Sequence, residues 1–308
     1  MIYMYDVCNF LKYKILQPIL SIPHLRLIDK RELNLVWNNF NALKSMINPS
    51  DIQPATGELR ELQLRNLEFA KEIVTELEQQ GIKIFLFAGS LLGAERHGGY
   101  IPWDDDIDFA CLREDYEKVI EYAQKKYKVF CQNINKYNYG KTSIESRNNY
   151  LRKYPNEVLL LQFPFLKFIK GTCMEDSVCF DLFPLDYYSD NYSYQDHIKY
   201  CEKMRRLLWN LDNIKERVEY IKSERKNNPN IVERSNTISF GIDNPGSYIE
   251  SQRTSWWTHE DFFPLKKMKF EDTEFNVPNN HIKVLDYWCK NWRGLPNDLT
   301  PEHMRERK

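Results

Sequence analysis

The sequence predicts an α/β (α+β) fold, a mixed sheet flanked by helices, with a helical N-terminal arm and a C-terminal extension of helix and hairpin. Three observations lead there. Short apolar runs at 82–88 (IKIFLFA), 106–111 (DIDFAC) and 178–183 (VCFDLF) have the length and bounding residues of buried strands. Between them lie segments whose apolar residues recur every three and four positions, the period of a helix with one buried face. Finally, four of the 11 glycines (Gly89, Gly93, Gly98, Gly99) fall within eleven residues, so backbone freedom is concentrated where one loop makes unusual turns.

Taken in order, residues 1–50 read as two short amphipathic helices forming an arm. Phe10, Leu11, Ile15, Leu16, Ile19 and Leu20 make a stripe carrying Lys12 and Lys14, ended by Pro18 and Pro23. Leu33, Val36, Phe40, Leu43 and Ile47 make a second. Such an arm either packs on the main domain or rests on a membrane surface, as basic amphipathic helices do. Residues 51–190 form the core. A helix over 58–80 presents Leu59, Leu62, Phe69, Ile73 and Leu77, and Gly81 ends it. Strand 82–88 follows, then a short helix opening at Ser90, a strand over 106–111, a helix over 114–126 and a strand over 127–131. Residues 132–158 lack a period and read as loop or lid, before strand character resumes at 159–169 and 178–183. Residues 191–308 complete the chain with one long helix (194–225), a loop (226–245), a Trp-rich segment, a hairpin over 265–277 and a closing helix from Asn280.

Composition removes several functional classes. Of 308 residues, 43 are Lys or Arg and 44 Asp or Glu, a net charge of −1 that provides no general field for nucleic acid. No apolar run approaches the roughly 18 residues of a membrane span, and Asp6, Lys12 and Lys14 interrupt any signal-peptide core. The seven cysteines are odd in number and form no CxxC pair, as expected of reduced thiols in a cytoplasmic protein.

The chemistry concentrates in GSLLGAERHGGYIPWDDDIDF, residues 89–109. Asp104, Asp105, Asp106 and Asp108 repel one another unless a cation lies among them. Strand-like, Asp104, Asp106 and Asp108 share one face, and hard oxygen donors so arranged suit Mg²⁺ or Mn²⁺. An EF-hand is excluded: with Asp104 as position 1, Phe109 stands where the loop requires glycine. Gly89 and Ser90, between a strand and a helix, are placed to cradle a phosphate. Asp181, flanked by apolar residues in CFDLFPLD, is the natural third strand carboxylate for the metal.

GSLLGAERHGGYIPWDDDIDF followed by FDLFPLD some seventy residues on resembles the LicD family, related to fukutin and fukutin-related protein, and the wider nucleotidyltransferase fold. The likeness runs from about Leu67 to Asp186 and continues more weakly through DFFPL (261–265) and Phe270-Glu271 to Val277-Pro278-Asn279; Tyr287-Trp288 departs from the family's Tyr-Gly. The resemblance implies a metal-dependent phosphotransferase that moves a phospho-headgroup, phosphocholine foremost, from a CDP-linked donor to a sugar hydroxyl of a cell-surface glycan, itself lipid-linked in some systems, with CMP released. Ribitol or glycerol phosphate transfer, nucleotidyl transfer and a non-catalytic scaffold are the alternatives. It further implies Mg²⁺ or Mn²⁺ held by Asp104, Asp106, Asp108 and Asp181, catalytic roles for Asp106, Asp108 and Asp181, and phosphate contacts from Arg96, His97 and Lys167. Trp103 is either packing or a wall of the donor site. A choline headgroup would want aromatic faces, for which Trp256, Trp257, Tyr187, Tyr188 and Phe263 are candidates.

Overall fold

The computed structural model describes residues 30–131, 141–162, 165–211, 214–243, 255–296 and 299. Within them a mixed sheet is flanked by helices, as the sequence predicts. The first stripe of the N-terminal arm lies outside the described residues. Its second stripe forms helix α1 (Lys30–Met46), but the apolar side chains face solvent: Val36 is 65% and Leu43 62% exposed. Packing of this helix against the domain is therefore not observed.

Helix α2 (Gly57–Gln79) buries Leu62, Leu67, Phe69, Ile73 and Leu77, and Gly81 ends it at φ +73°. The apolar run 82–88 contributes only a two-residue strand, β1 (Phe85–Leu86), because its antiparallel partner β2 (Asp108–Leu112) meets it over two positions. Helix α3 (Ala88–His97) lies between them, and α4 (Arg113–Lys126) follows β2. Strand β3 (Lys128–Cys131) pairs parallel with β4 (Leu159–Gln162), which turns into β5 (Leu166–Lys170). The run 159–169, expected to have strand character, holds two antiparallel strands. Of the expected loop 132–158, residues 141–153 are helical, α5 (Lys141–Lys153). Its sequence conceals this because little besides Ile144, Tyr150 and Leu151 faces the core.

Strand β6 (Val178–Tyr188) is the spine. Its first half lies between β5, antiparallel, and β2, parallel. The expected long helix over 194–225 is two, α6 (Tyr194–Asn210) and α7 (Ile214–Asn227). The expected loop 226–245 contains β7 (Ile231–Val232) and β8 (Thr237–Phe240), which pair with the last residues of β6. Strand β9 (Trp257–Thr258), the short α8 (His259–Phe262), the hairpin β10 (Lys266–Phe270) and β11 (Thr273–Val277), and α9 (His281–Trp288) complete the order. The sheet runs β1-β2-β6-β5-β4-β3.

Strand alternation decides what each face carries. Phe109, Phe168 and Phe180 point to one side and meet Phe69 of α2, with Phe168 and Phe180 stacked at 4.8 Å. Tyr127, at the end of α4, joins them against Phe168 and hydrogen-bonds Glu76 of α2. Leu159, Leu161, Ile169 and Cys179 point the other way, where α5 covers them through Leu151. The acidic residues lie on this second side. Residues from both halves of the chain share one core, since Phe275 of β11 packs on Phe109 at 5.2 Å. Among the described residues Cys111, Cys173, Cys179, Cys201 and Cys289 form no disulfide. Among the described residues no helix is long and apolar enough to cross a membrane.

Candidate active site

The site begins where β1 gives way to α3. Ala88 takes φ +45°, a left-handed conformation unfavourable for a residue with a Cβ, and it turns the chain so that Gly89 and Ser90 open the helix. A Cβ on Gly89 would stand 2.8 Å from Asp104 Oδ2 and 3.6 Å from Asp108 Oδ2. The glycine expected to admit a phosphate thus also makes room for two carboxylates. Ser90, buried, accepts the Asp108 backbone N–H on its hydroxyl oxygen at 2.8 Å and so fixes the start of β2.

After α3 the chain turns at Gly98 (φ +67°) and passes beneath the tip of the β10–β11 hairpin. There Glu271 accepts the Tyr100 N–H at 3.0 Å and a bidentate pair of bonds from Arg60 at 2.9 and 2.6 Å. The acidic loop that follows is held from α2 by two buried amides. Gln63 donates to the carbonyls of Ile101 and Asp104 at 3.2 and 2.7 Å. Asn66 donates to the Asp105 carbonyl at 3.0 Å. Strand β2 starts only at Asp108, so Asp104 and Asp106 reach the site from the loop and do not share a strand face with Asp108.

Parallel pairing sets Asp108 directly beside Asp181, and the Asp181 N–H donates to the Ile107 carbonyl at 3.0 Å. Asp106, Asp108 and Asp181 each offer an oxygen within 4.8 Å of the others. Asp104 lies beside Asp106 of this trio, whose charge acts on its carboxyl. Across β5, Lys167 stands opposite Asp181 with its ammonium 2.9 Å from the carboxylate, both buried. Burial, and then the charges of Asp106 and its neighbours, raises the Asp104 and Asp108 carboxyls well above the usual carboxylate range. Burial alone would lower Lys167, but Asp181 outweighs it and the ammonium is held more firmly than usual. The mutual repulsion of three convergent carboxylates is what a hard divalent cation relieves, and oxygen donors of this kind suit Mg²⁺ or Mn²⁺.

Arg96 and His97 have partners of another kind. Arg96 donates to His97 Nε2 at 3.0 Å and to the Trp292 carbonyl at 2.6 Å, and lies 5.6 Å over the Trp103 ring. It joins α3 to the turn after α9. Burial brings Arg96 down to about 10, still charged at neutral pH. Burial and then Arg96 bring His97 to about 4, which leaves it neutral and edge-on to Trp103. The aromatic residues considered for a choline headgroup do not form one cage. Trp257 is core, against Phe87, Phe240 and Phe262. Tyr188 and Trp256 enclose His197, while Tyr187 and Phe263 stack on His259. Sequence reasoning missed Arg60, Gln63, Asn66 and Glu271. For two of them a signal existed: Gln63 and Asn66 interrupt the buried stripe of α2 with polar groups, which burial tolerates only when they are satisfied.

Comparison with known proteins bears on part of this site. Residues 81–180 match the family model described as LicD/FKTN/FKRP, nucleotidyltransferase domain. The chain is 50% identical over 48 residues to "Ribitol 5-phosphate transferase FKRP" of Homo sapiens, which is 16% of this chain and 10% of that protein. It is 41% identical over 63 residues to "Lipopolysaccharide cholinephosphotransferase LicD" of Haemophilus influenzae, 20% of this chain and 24% of that one. The match therefore spans a quarter or less of these relatives' length. The glycine turn, the acidic loop and β2 all fall inside the matched stretch, so this part of the chain, residues 81–180, is similar to the LicD/FKTN/FKRP nucleotidyltransferase domain.

Proposed function

We propose that the chain is a metal-dependent phosphotransferase that moves a phospho-headgroup from a CDP-linked donor to a sugar hydroxyl of a glycan, releasing CMP. The observation that carries this reading is the convergence of Asp106, Asp108 and Asp181 beside the buried Lys167. A bound Mg²⁺ or Mn²⁺ would neutralise the donor diphosphate. Asp106, Asp108 and Asp181 would hold it, with Asp104 adjoining. The remaining chemistry is positional. A bond forms between the hydroxyl oxygen and the headgroup phosphorus, the phosphoanhydride bond to CMP breaks, and the hydroxyl proton passes to a carboxylate, for which Asp181 is placed. Lys167 attracts a phosphate oxygen, the start of α3 at Gly89 and Ser90 presents backbone N–H groups to another, and Arg96 and Trp103 border the donor side. The relatives' names support phosphocholine or ribitol phosphate as headgroups. A peripheral membrane contact through the arm 1–50 belongs to the same proposal. The exposed apolar side chains of α1 support it, and sedimentation with anionic vesicles at low salt, compared with a chain lacking the arm, tests it.

The decisive experiment incubates the protein with Mg²⁺, an acceptor glycan and a panel of CDP-choline, CDP-ribitol and CDP-glycerol. CMP release is expected, and Asp106→Asn or Asp108→Asn should lose at least ~10²-fold in rate, the scale of removing a key electrostatic group. Near-parental turnover by either variant, or full activity in excess chelator, overturns the reading. The nucleotidyltransferase description of the matched domain supports a second reading, transfer of cytidylate itself. A glycan mass increment equal to cytidylate would establish that one instead.

A further inference from the structure

We infer that Asn66 is a positioning residue for the carboxylate cluster: its side-chain amide is wedged into the sheet between β6 and the acidic loop, and the wedge sets where Asp106 stands relative to Asp108 and Asp181. The inference rests on the metal-site reading above and concerns how this chain builds that site.

The argument starts from the hydrogen-bond pattern of a parallel strand pair, in which one strand's outward N–H groups reach the other's carbonyls at steps of two residues. Between β6 and β2 one such step is the Asp181 N–H to the Ile107 carbonyl, at 3.0 Å. The next step toward the strand's beginning would join the Cys179 N–H to the Asp105 carbonyl. That bond is replaced. The Cys179 N–H donates to Asn66 Oδ1 at 3.0 Å, and Asn66 Nδ2 donates to the Asp105 carbonyl at 3.0 Å. One amide thus stands where a single hydrogen bond would close the ladder. The chain is held away from β6 by the width of that amide, one residue before Asp106 and two residues before Asp181. Asn66 is 0% exposed, and both ends of its amide are used. Gln63, one turn earlier on α2, anchors the same loop at Ile101 and Asp104, and its amide oxygen accepts from Arg60. Asn66 is the one of the two that spans the gap across which the carboxylates face each other.

Removing the amide lets the ladder close or leaves two buried polar groups unpaired. Either way Asp106 shifts against its partners. Residues that orient metal ligands from behind typically cost 10–100-fold in affinity when lost. The coupling is the distinguishing feature. If Asn66 acts through Asp106, its loss matters only while Asp106 is a carboxylate.

The test is a double-mutant cycle on the full chain, read as Mn²⁺ affinity by electron paramagnetic resonance without any donor or acceptor. Asn66→Ala should weaken Mn²⁺ binding about tenfold in the parental protein and no more than about twofold in Asp106→Asn. Asn66→Ser, which keeps a hydroxyl at the position, should give the same pattern and replaces the alanine variant if circular dichroism shows that one unfolded. An equal effect in both backgrounds, or none in either, overturns the inference and leaves the metal site standing. No Mn²⁺ binding by the parental protein overturns both.

Discussion

Gly89 shows how a single absent methyl group shapes the site. The Asp104 oxygen occupies the space that a Cβ on Gly89 would fill, and an Asp108 oxygen lies just beyond it. In Gly89→Ala the fold should survive, because the nearest obstacle is the end of a side chain that can rotate. The carboxylates, however, would be pushed from their present positions. The expected outcome is a thermal midpoint within about 4 °C of the parent, equivalent to roughly 1–2 kcal/mol for a chain of this size, with Mn²⁺ affinity about tenfold weaker. Thermal unfolding and Mn²⁺ titration on one preparation check both halves, and unchanged affinity would show the methyl group to be accommodated. Lys167 illustrates the complementary case of a buried charge. Its ammonium, 2.9 Å from Asp181, offsets part of the repulsion among the acids in the resting protein.

At the scale of elements, the acidic loop depends on two neighbours remote in sequence, α2 and the β10–β11 hairpin. Glu271 sits at φ +57°, an unusual conformation for a glutamate, held there by Arg60 and the Tyr100 N–H. The Arg60 hydrogen bond, ahead of burial, which opposes it, keeps the Glu271 carboxyl below the usual range. Its stabilising effect is therefore present above about pH 4.5 and is lost as pH falls through the folded value. Glu271→Gln retains the shape and removes the charge. We expect a loss of about 2 kcal/mol, the scale of hydrogen bonds to a charged group, seen as a lower urea midpoint at pH 7 and a smaller difference at pH 3. An equal deficit at both pH values would contradict this. The elements legible in the sequence were those with a strong apolar period or a clear stop: α2 with Gly81, α4, the C-terminal hairpin, and α9 with its Asn280 cap. Helix α5 was missed because its residues are mostly polar, and the break between α6 and α7 because an apolar spacing continues across it. Asp106, Asp108 and Asp181 could be read from residue type and spacing. The clamps on their loop could not, since hydrogen bonds from Arg60 and Asn66 to positions 39 to 211 residues away leave no local pattern.

At the scale of the molecule, aromatic residues make up 14% of the chain, and among the described ones many are core while a few enclose a titratable group. His197 is wholly buried among Tyr188, Tyr192 and Trp256. Burial, only partly opposed by Asp186, holds it down at about 3. The unfolded chain takes up this proton near pH 6.5 and the folded one does not, so stability falls as pH drops from about 6.5 toward 3, by up to about 1.4 kcal/mol per pH unit. His197→Gln removes that contribution. Its urea midpoints at pH 7, 5.5 and 4 should decline less steeply than the parent's, and parallel declines would refute the assignment. The Glu271 clamp carries a consequence for how the protein is made. Tyr100 and Glu271 lie 171 residues apart. At about 5–20 residues per second, a ribosome adds Glu271 roughly ten to thirty seconds after Tyr100. Throughout that interval the nascent acidic loop has nothing to close it from the hairpin side, and for much of it no β6. A chain released at residue 265 should leave the ribosome with every proposed ligand present and bind Mn²⁺ far more weakly than the 308-residue chain, so maturation of the site waits for synthesis of the hairpin.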